Sequence, residues 1–307
     1  MPPETLARSA RSRFVSIGGS RRHLLEWGEP GAPVVILQHG MRDHAHSWSW
    51  LAESLKERYH VIAPDLRGHG DSDWSSDSNY ALASFVIDLA AIADLCGLRD
   101  FSLVGHSLGG QIALRYTAAF PERVRALLAI EGVELPMIRQ EREKPVPYPV
   151  RLREWAANEM MRRLQSPSYY PDIARAAARM QEANPEIDAA TVAYLTATGV
   201  IAEADRGFRW KYDNGCRYRP PEDQRGADLD DMLSSIKCPA LLAYGDGSWI
   251  APPPPARLAR LAQHRVITFG GASHWLHHQR RPEFNELVGR FLADPSSTLA
   301  NERDHYA

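Results

Sequence analysis

The chain has 307 residues, 44% hydrophobic and 24% charged, with a formal net charge of −2. So near-neutral a balance gives no bulk attraction for nucleic acid or an anionic membrane, and the length suits a large α/β domain with an insertion or two modest domains. Three distant cysteines, Cys96, Cys216 and Cys238, form neither a disulfide framework nor a paired metal motif, which fits a reducing, cytoplasmic setting. The first residues lack an apolar signal-like run, and no stretch of about eighteen apolar residues occurs, so neither a secretory leader nor a membrane span is expected.

In chain order, residues 13–17 and 23–27 alternate around Gly18-Gly19-Ser20 and predict a β-hairpin. Residues 34–38 are a continuous apolar run, the kind buried on both faces of a parallel sheet. A helix is expected over 48–55, a strand over 60–64, and a strong amphipathic helix over 80–95. The run 101–104 leads into Gly105-His106-Ser107-Leu108-Gly109, with a helical pattern over 111–119 behind it. A strand, a tight turn and a helix with serine at the apex form the context of a nucleophile elbow, whose flanking positions require residues without bulk. A buried strand over 124–130 ends at Glu131.

Beyond Glu131 the pattern changes. Prolines 136, 145, 147 and 149 punctuate an expected connection, and helices are expected over 151–164, 170–183 and 189–199, without apolar strands of the parallel-sheet type. This predicts an inserted helical cap over 135–234, with a core built from 1–134 and 235–307. Strands at 240–244 and 265–269 and a closing helix at 281–292 resume the earlier alternation, so the fold class expected is α/β, a mostly parallel central sheet flanked by helices.

Four motifs in order, Gln38-His39-Gly40, Asp65-Leu66-Arg67-Gly68-His69-Gly70-Asp71-Ser72, Gly105 to Gly110 and Gly271-Ala272-Ser273-His274-Trp275, resemble the α/β-hydrolase fold superfamily. The resemblance covers the core from about residue 12 to 293. It implies Ser107 as nucleophile, His274 as base, and backbone N–H groups of Met41 and Leu108 as an oxyanion hole. The superfamily most often carries its acid in a Gly-x-x-Asp-x-x-x-Pro loop after the strand at 240–244, but Ser248 occupies that place, and serine cannot supply the charge an imidazolium needs. Glu131, at the strand end where some branches carry the acid, is the favoured candidate, and Asp246 is the alternative. Asp65, Arg67 and Asp71 are expected to pair and cap rather than react. His277 and His278 are expected at the surface or a helix start. His39, His106, Trp48, Trp249 and Trp275 are candidate pocket residues, and His44 or His46 borders the same region. His44 and His46 lack the further ligands a metal would require, so neither metal nor cofactor is expected.

The activity implied is hydrolysis of a carboxylic ester, thioester or lactone through an acyl-enzyme, on an apolar small-molecule substrate. Two alternatives remain open: a carbon–carbon bond hydrolase of ring-cleavage products, and a non-catalytic ligand-binding protein of the same fold, which the serine at 248 favours.

Overall fold

The structure is a computed structural model that describes residues 3–217, 220–221, 227–301 and 306. In chain order its strands are β1 (Arg11–Ile17), β2 (Ser20–Trp27), β3 (Val34–Gln38), β4 (His60–Pro64), β5 (Phe101–His106), β6 (Val124–Ile130), β7 (Val200–Glu203), β8 (Gly207–Trp210), β9 (Ala240–Gly245) and β10 (His264–Phe269). Eight of them form one sheet in the order β1-β2-β4-β3-β5-β6-β9-β10. β1 and β2 pair antiparallel through a loop of Gly18 and Gly19, at φ 57° and 81°. A two-residue hairpin loop of the type that matches strand twist needs positive φ at both positions. β2 is antiparallel to β4, and every pairing from β4 to β10 is parallel.

Alternation along the central strands fills two layers. Leu103, Leu127 and Leu242 face a core shared with helices Leu82–Leu95 and Leu108–Ala119. Val104, Leu128 and Leu241 face the opposite core, shared with helices Ser49–Leu55 and Arg281–Ala293. The chain leaves β3 for β4 on one side and returns to β5 on the other, so the strand order reverses at β3. Open α/β sheets bind ligands outside the carboxyl ends of the strands at such a reversal. Here that crevice lies between the residues following Gln38 and those following His106.

Between β6 and β9 the chain forms helices Pro136–Glu143, Tyr148–Arg163, Ile173–Ala183 and Ala189–Gly199, the antiparallel pair β7–β8, and helix Ala227–Ser235. Two features differ from expectation. Pro136 and Pro149 sit in the first turns of helices rather than in a connection, because a first-turn residue has no use for its N–H and proline presets the helical φ. The hairpin β7–β8 was not expected. Its strands are four residues each and largely exposed, so no apolar alternation announces them. Leu229 and Leu233 of helix Ala227–Ser235 join the core beside the 108–119 helix, although the expected insertion ran to 234.

The loop after β4 is a structural node. The buried Asp65 carboxylate accepts from His23 Nδ1 (2.7 Å), Ala45 N (2.7 Å) and Asp71 N (2.9 Å). Arg67 forms a two-bond fork with Asp88, both at 2.7 Å, and Asp88 also accepts from Arg22. Burial opposes the Asp65 charge, but the His23 bond and the surrounding imidazoles outweigh it and hold the carboxyl well below the usual range. A depressed native pKa gives stability that is complete above the unfolded value of about 4 and is lost as pH falls toward the native one. Asp65→Asn is therefore expected to cost about 3–5 kcal/mol at pH 7, read from the urea midpoint, with the gap to wild type narrowing below about pH 4.

Among the described residues no helix is long and apolar enough to cross a membrane.

Candidate active site

β5 ends at His106, and the next residue, Ser107, takes φ 52° and ψ −112° before helix Leu108–Ala119 begins. Side chains rarely adopt this conformation, and it persists only where the surroundings impose it. A Cβ on Gly105 would lie 2.3 Å from Gly109 O, and one on Gly109 would lie 2.1 Å from Gln38 O. Both are backbone obstacles that cannot step aside. Ser107 N donates to Ile130 O (2.8 Å), and Ser107 O accepts from Gln111 N (3.0 Å), so the turn is fixed to the end of β6 and to its own helix.

Glu131 follows β6 in a second left-handed turn, φ 48°, and is wholly buried. Its Oε1 accepts from Gly245 N (2.8 Å). Its Oε2 accepts from Ser248 Oγ (2.6 Å) and His274 Nδ1 (2.6 Å). A buried carboxylate requires such partners, and three donors converge on this one. A histidine that gives its Nδ1 proton to a carboxylate keeps Nε2 free to accept another. The ring of His274 packs 4.6 Å from that of His106 and 5.3 Å from that of Trp249, centroid to centroid.

The loop at 245–252 thus contributes a neutral donor. Ser248 stands where the superfamily usually has its acid, and its hydroxyl bonds to the carboxylate that approaches from the neighbouring strand. Asp246 is exposed, and its N–H is tied to Phe269 O. His274 bonds to Glu131 instead.

Gly40 lies against the elbow, since a Cβ there would come within 3.4 Å of Ser107 Cβ and 2.9 Å of His106 Nδ1. Met41 follows it directly. Leu108 opens the helix behind Ser107, where the first N–H groups have no intrahelical acceptor and the dipole favours negative charge.

Several expected pocket residues lie elsewhere. His39 is fully buried. Its Nδ1 donates to Gly40 O (2.7 Å) and its Nε2 accepts from Leu66 N (3.0 Å), so it shapes the loop rather than lining a pocket. Burial pushes its pKa down to about 3. Trp48 is a core residue, 1% exposed and packed on His277. His106 is also buried, and its Nε2 donates to the His274 carbonyl (2.8 Å), supporting the histidine from below. His277 and His278, expected at the surface or a helix start, lie in the short helix Leu276–Gln279 and are buried there, and burial drives both imidazoles well below their usual pKa. Trp249 is 61% exposed over His274.

A cavity of about 470 Å³ opens beside this machinery. Met41, Arg42, Asp43 and His44 form one wall, Trp275 another, and residues of the 136–217 segment the rest, among them Tyr170, Trp210 and Tyr212. Trp275 also donates from Nε1 to Asn184 Oδ1 (2.9 Å), and His44 Nε2 bonds to Leu195 O (2.9 Å). Trp275 and His44 thus both line this cavity.

Residues 33–280 match the family model described as the alpha/beta hydrolase fold. The chain belongs to that family. It is 36% identical to human Epoxide hydrolase 4 over 113 residues, 36% of this chain and 31% of that protein. It is 37% identical to Lipase LipV of Mycobacterium tuberculosis (strain ATCC 25618 / H37Rv) over 109 residues, 36% of this chain and 41% of the lipase. The chain thus spans about a third to two-fifths of the length of these curated relatives. Among solved structures, the thioesterase domain from the curacin biosynthetic pathway superposes with a TM-score of 0.74 at 25% identity, over 92% of this chain and 99% of that one.

Some residues of this α/β hydrolase fold that matter at the site were not singled out from the sequence. Arg42, at φ 62°, lines the cavity, and a non-glycine residue in that conformation leaves no trace in composition. Asp43, His106 and His277 each bring one ligand-type atom within 4.8 Å of the others, one of two such groupings among the described residues, the other being His23, Asp65 and Asp71. Wide separation in sequence hides the first of these, whereas metal motifs are legible only when ligands are closely spaced.

Proposed function

We propose that the chain is a serine hydrolase that cleaves a carboxylic ester, or a related thioester or lactone, through an acyl-enzyme on Ser107. The observation carrying this reading is the 2.6 Å bond between His274 Nδ1 and a fully buried Glu131, formed beside a serine held in the strained elbow conformation. In the proposed cycle Ser107 Oγ attacks the carbonyl carbon while His274 Nε2 takes its proton. The oxyanion forms against the N–H groups of Leu108 and Met41. Collapse expels the alcohol, which receives the proton from His274. Water, deprotonated by the same nitrogen, then releases the acid and restores Ser107. Glu131 stabilises the imidazolium in both halves.

The serine itself supports acyl chemistry. In this superfamily epoxide hydrolase and dehalogenase chemistry uses an aspartate nucleophile, and Ser107 holds that place. The serine at 248, which favoured a binding-only protein, is accounted for as a donor to Glu131. We assign residues 1–134 and 235–307 to the catalytic core and 135–234 to a cap that shapes the substrate cavity.

A panel of p-nitrophenyl esters of graded acyl length, with fluorophosphonate labelling and Ser107→Ala as the control, tests the reading. Saturable hydrolysis and labelling confined to Ser107 are expected. Failure to turn over any ester, thioester or lactone overturns it.

A further inference from the structure

We propose that the substrate carries a carboxylate remote from the scissile bond and that Arg42 and Arg217 hold it in the cavity beside Met41. This deepens the ester-hydrolase reading and rests on it. Both arginines line the same cavity, and neither has a carboxylate partner among the described residues. The polar contact of Arg42 is Asn214 Oδ1, at 3.4 Å, and its guanidinium lies 5.3 Å from the centre of the Tyr212 ring. Its Nε is shielded from solvent and has no acceptor. A guanidinium whose shielded Nε lacks an acceptor, and whose one bond from Nη2 is long, is matched in geometry and charge by a carboxylate.

Three further observations point the same way. Arg42 adopts a left-handed backbone, φ 62°, a strain that tends to persist at ligand clamps. It directly follows Met41, so an anion on Arg42 sits within one substrate's length of the proposed oxyanion hole. The Tyr212 hydroxyl, pushed up by burial, is opposed by the positive charges of Arg42 and Arg217, and both arginines line the cavity with it. Of the cavity's other charged groups, Asp43 is the one that could oppose them, and burial raises its carboxyl pKa to about 7. Arg179 lies at its rim in a pair with Glu182, and Asp43 turns Oδ1 to the His44 N–H.

The test compares mono-p-nitrophenyl adipate with p-nitrophenyl hexanoate, whose six-carbon acyl chains end in a carboxylate and a methyl group respectively. We expect kcat/KM to favour the adipate at least about tenfold, the usual scale for a hydrogen bond to a charged group, and the preference to shrink as salt is raised. Arg42→Met should lower the adipate-to-hexanoate ratio at least about tenfold. If that variant does not fold, Arg42→Lys, which keeps the charge but loses the fork, should lower the ratio by a smaller factor. A wild-type ratio of one or less with the hexanoate hydrolysed overturns this inference and leaves the ester reading standing. A ratio insensitive to both Arg42 variants also overturns it. If neither ester is turned over and Ser107 does not label, the proposed function falls, and calorimetry with adipate decides the rest. Binding that weakens about tenfold in the Arg42 variant keeps the anion site, and no binding to wild type removes it.

Discussion

Replacing Glu131 with Gln is expected to lower kcat for ester hydrolysis about 10⁴-fold, with KM much less changed. The size follows from what the amide does to His274. The carboxylate Oε2 accepts the Nδ1 proton at 2.6 Å, which fixes the tautomer with Nε2 unprotonated. An amide NH₂ turned toward the ring donates instead, and the proton moves to Nε2, where it blocks acceptance from Ser107. The charge that would stabilise the imidazolium is lost as well. With the NH₂ at the Oε2 position the amide oxygen still accepts from the Gly245 N–H, and the Ser248 hydroxyl can turn to accept from the NH₂, so the variant should fold, as its thermal midpoint would verify. Adding Ser248→Asp to Glu131→Gln returns a carboxylate to the loop the superfamily usually uses, and part of the lost rate should return. A Glu131→Gln enzyme with near wild-type turnover would make Glu131 a structural residue only.

Ser107→Ala is expected to have the larger effect, about 10⁶-fold in kcat, together with complete loss of fluorophosphonate labelling. The residual rate would be that of water attacking a carbonyl held beside the remaining donors, still about 10³–10⁴ above solution. Alanine adds no bulk to the turn, so stability should change little. Long-time-course assays on the purified Ser107→Ala and Ser107→Ala/His274→Ala variants, with contaminating wild-type activity removed by fluorophosphonate, give the measurement. If the single and double variants share one residual rate, the two residues act as a unit.

The core was legible because its signals are short-range and one-sided. The runs at 34–37, 126–130 and 240–244 are apolar throughout since both faces of those strands are covered. The elbow was legible since Gly105 and Gly109 are each pressed against backbone that admits no Cβ. Glu131 stood out as a charge ending a buried run. The less legible features depend on distant partners. Nothing near Ser248 in sequence shows that its hydroxyl meets Glu131, which lies 117 residues away. His39 and His106 sit in the quoted motifs and Trp48 in the stretch after the first of them, but contacts from Leu66, His274 and His277 decide that all three are buried supports. The prolines at 136 and 149 looked like breaks because proline both interrupts a helix and opens one, and position within the first turn decides which.

The two left-handed turns at Ser107 and Glu131 are not independent. A Cβ on Gly132 would meet Gly110 Cα at 2.5 Å and Ser107 O at 2.8 Å, while Ser107 N is tied to Ile130 O and Glu131 N to Ala243 O. The proposed nucleophile and acid therefore ride on one interlocked piece of main chain. For anyone redesigning this protein the practical unit of exchange is the pair of turns, residues 105–110 with 130–132. Transplanting the serine loop or the glutamate alone into another scaffold would leave each without the backbone that holds its shape. Random libraries should find Gly110 and Gly132 nearly immutable, while the residues of the cavity wall stay open to change.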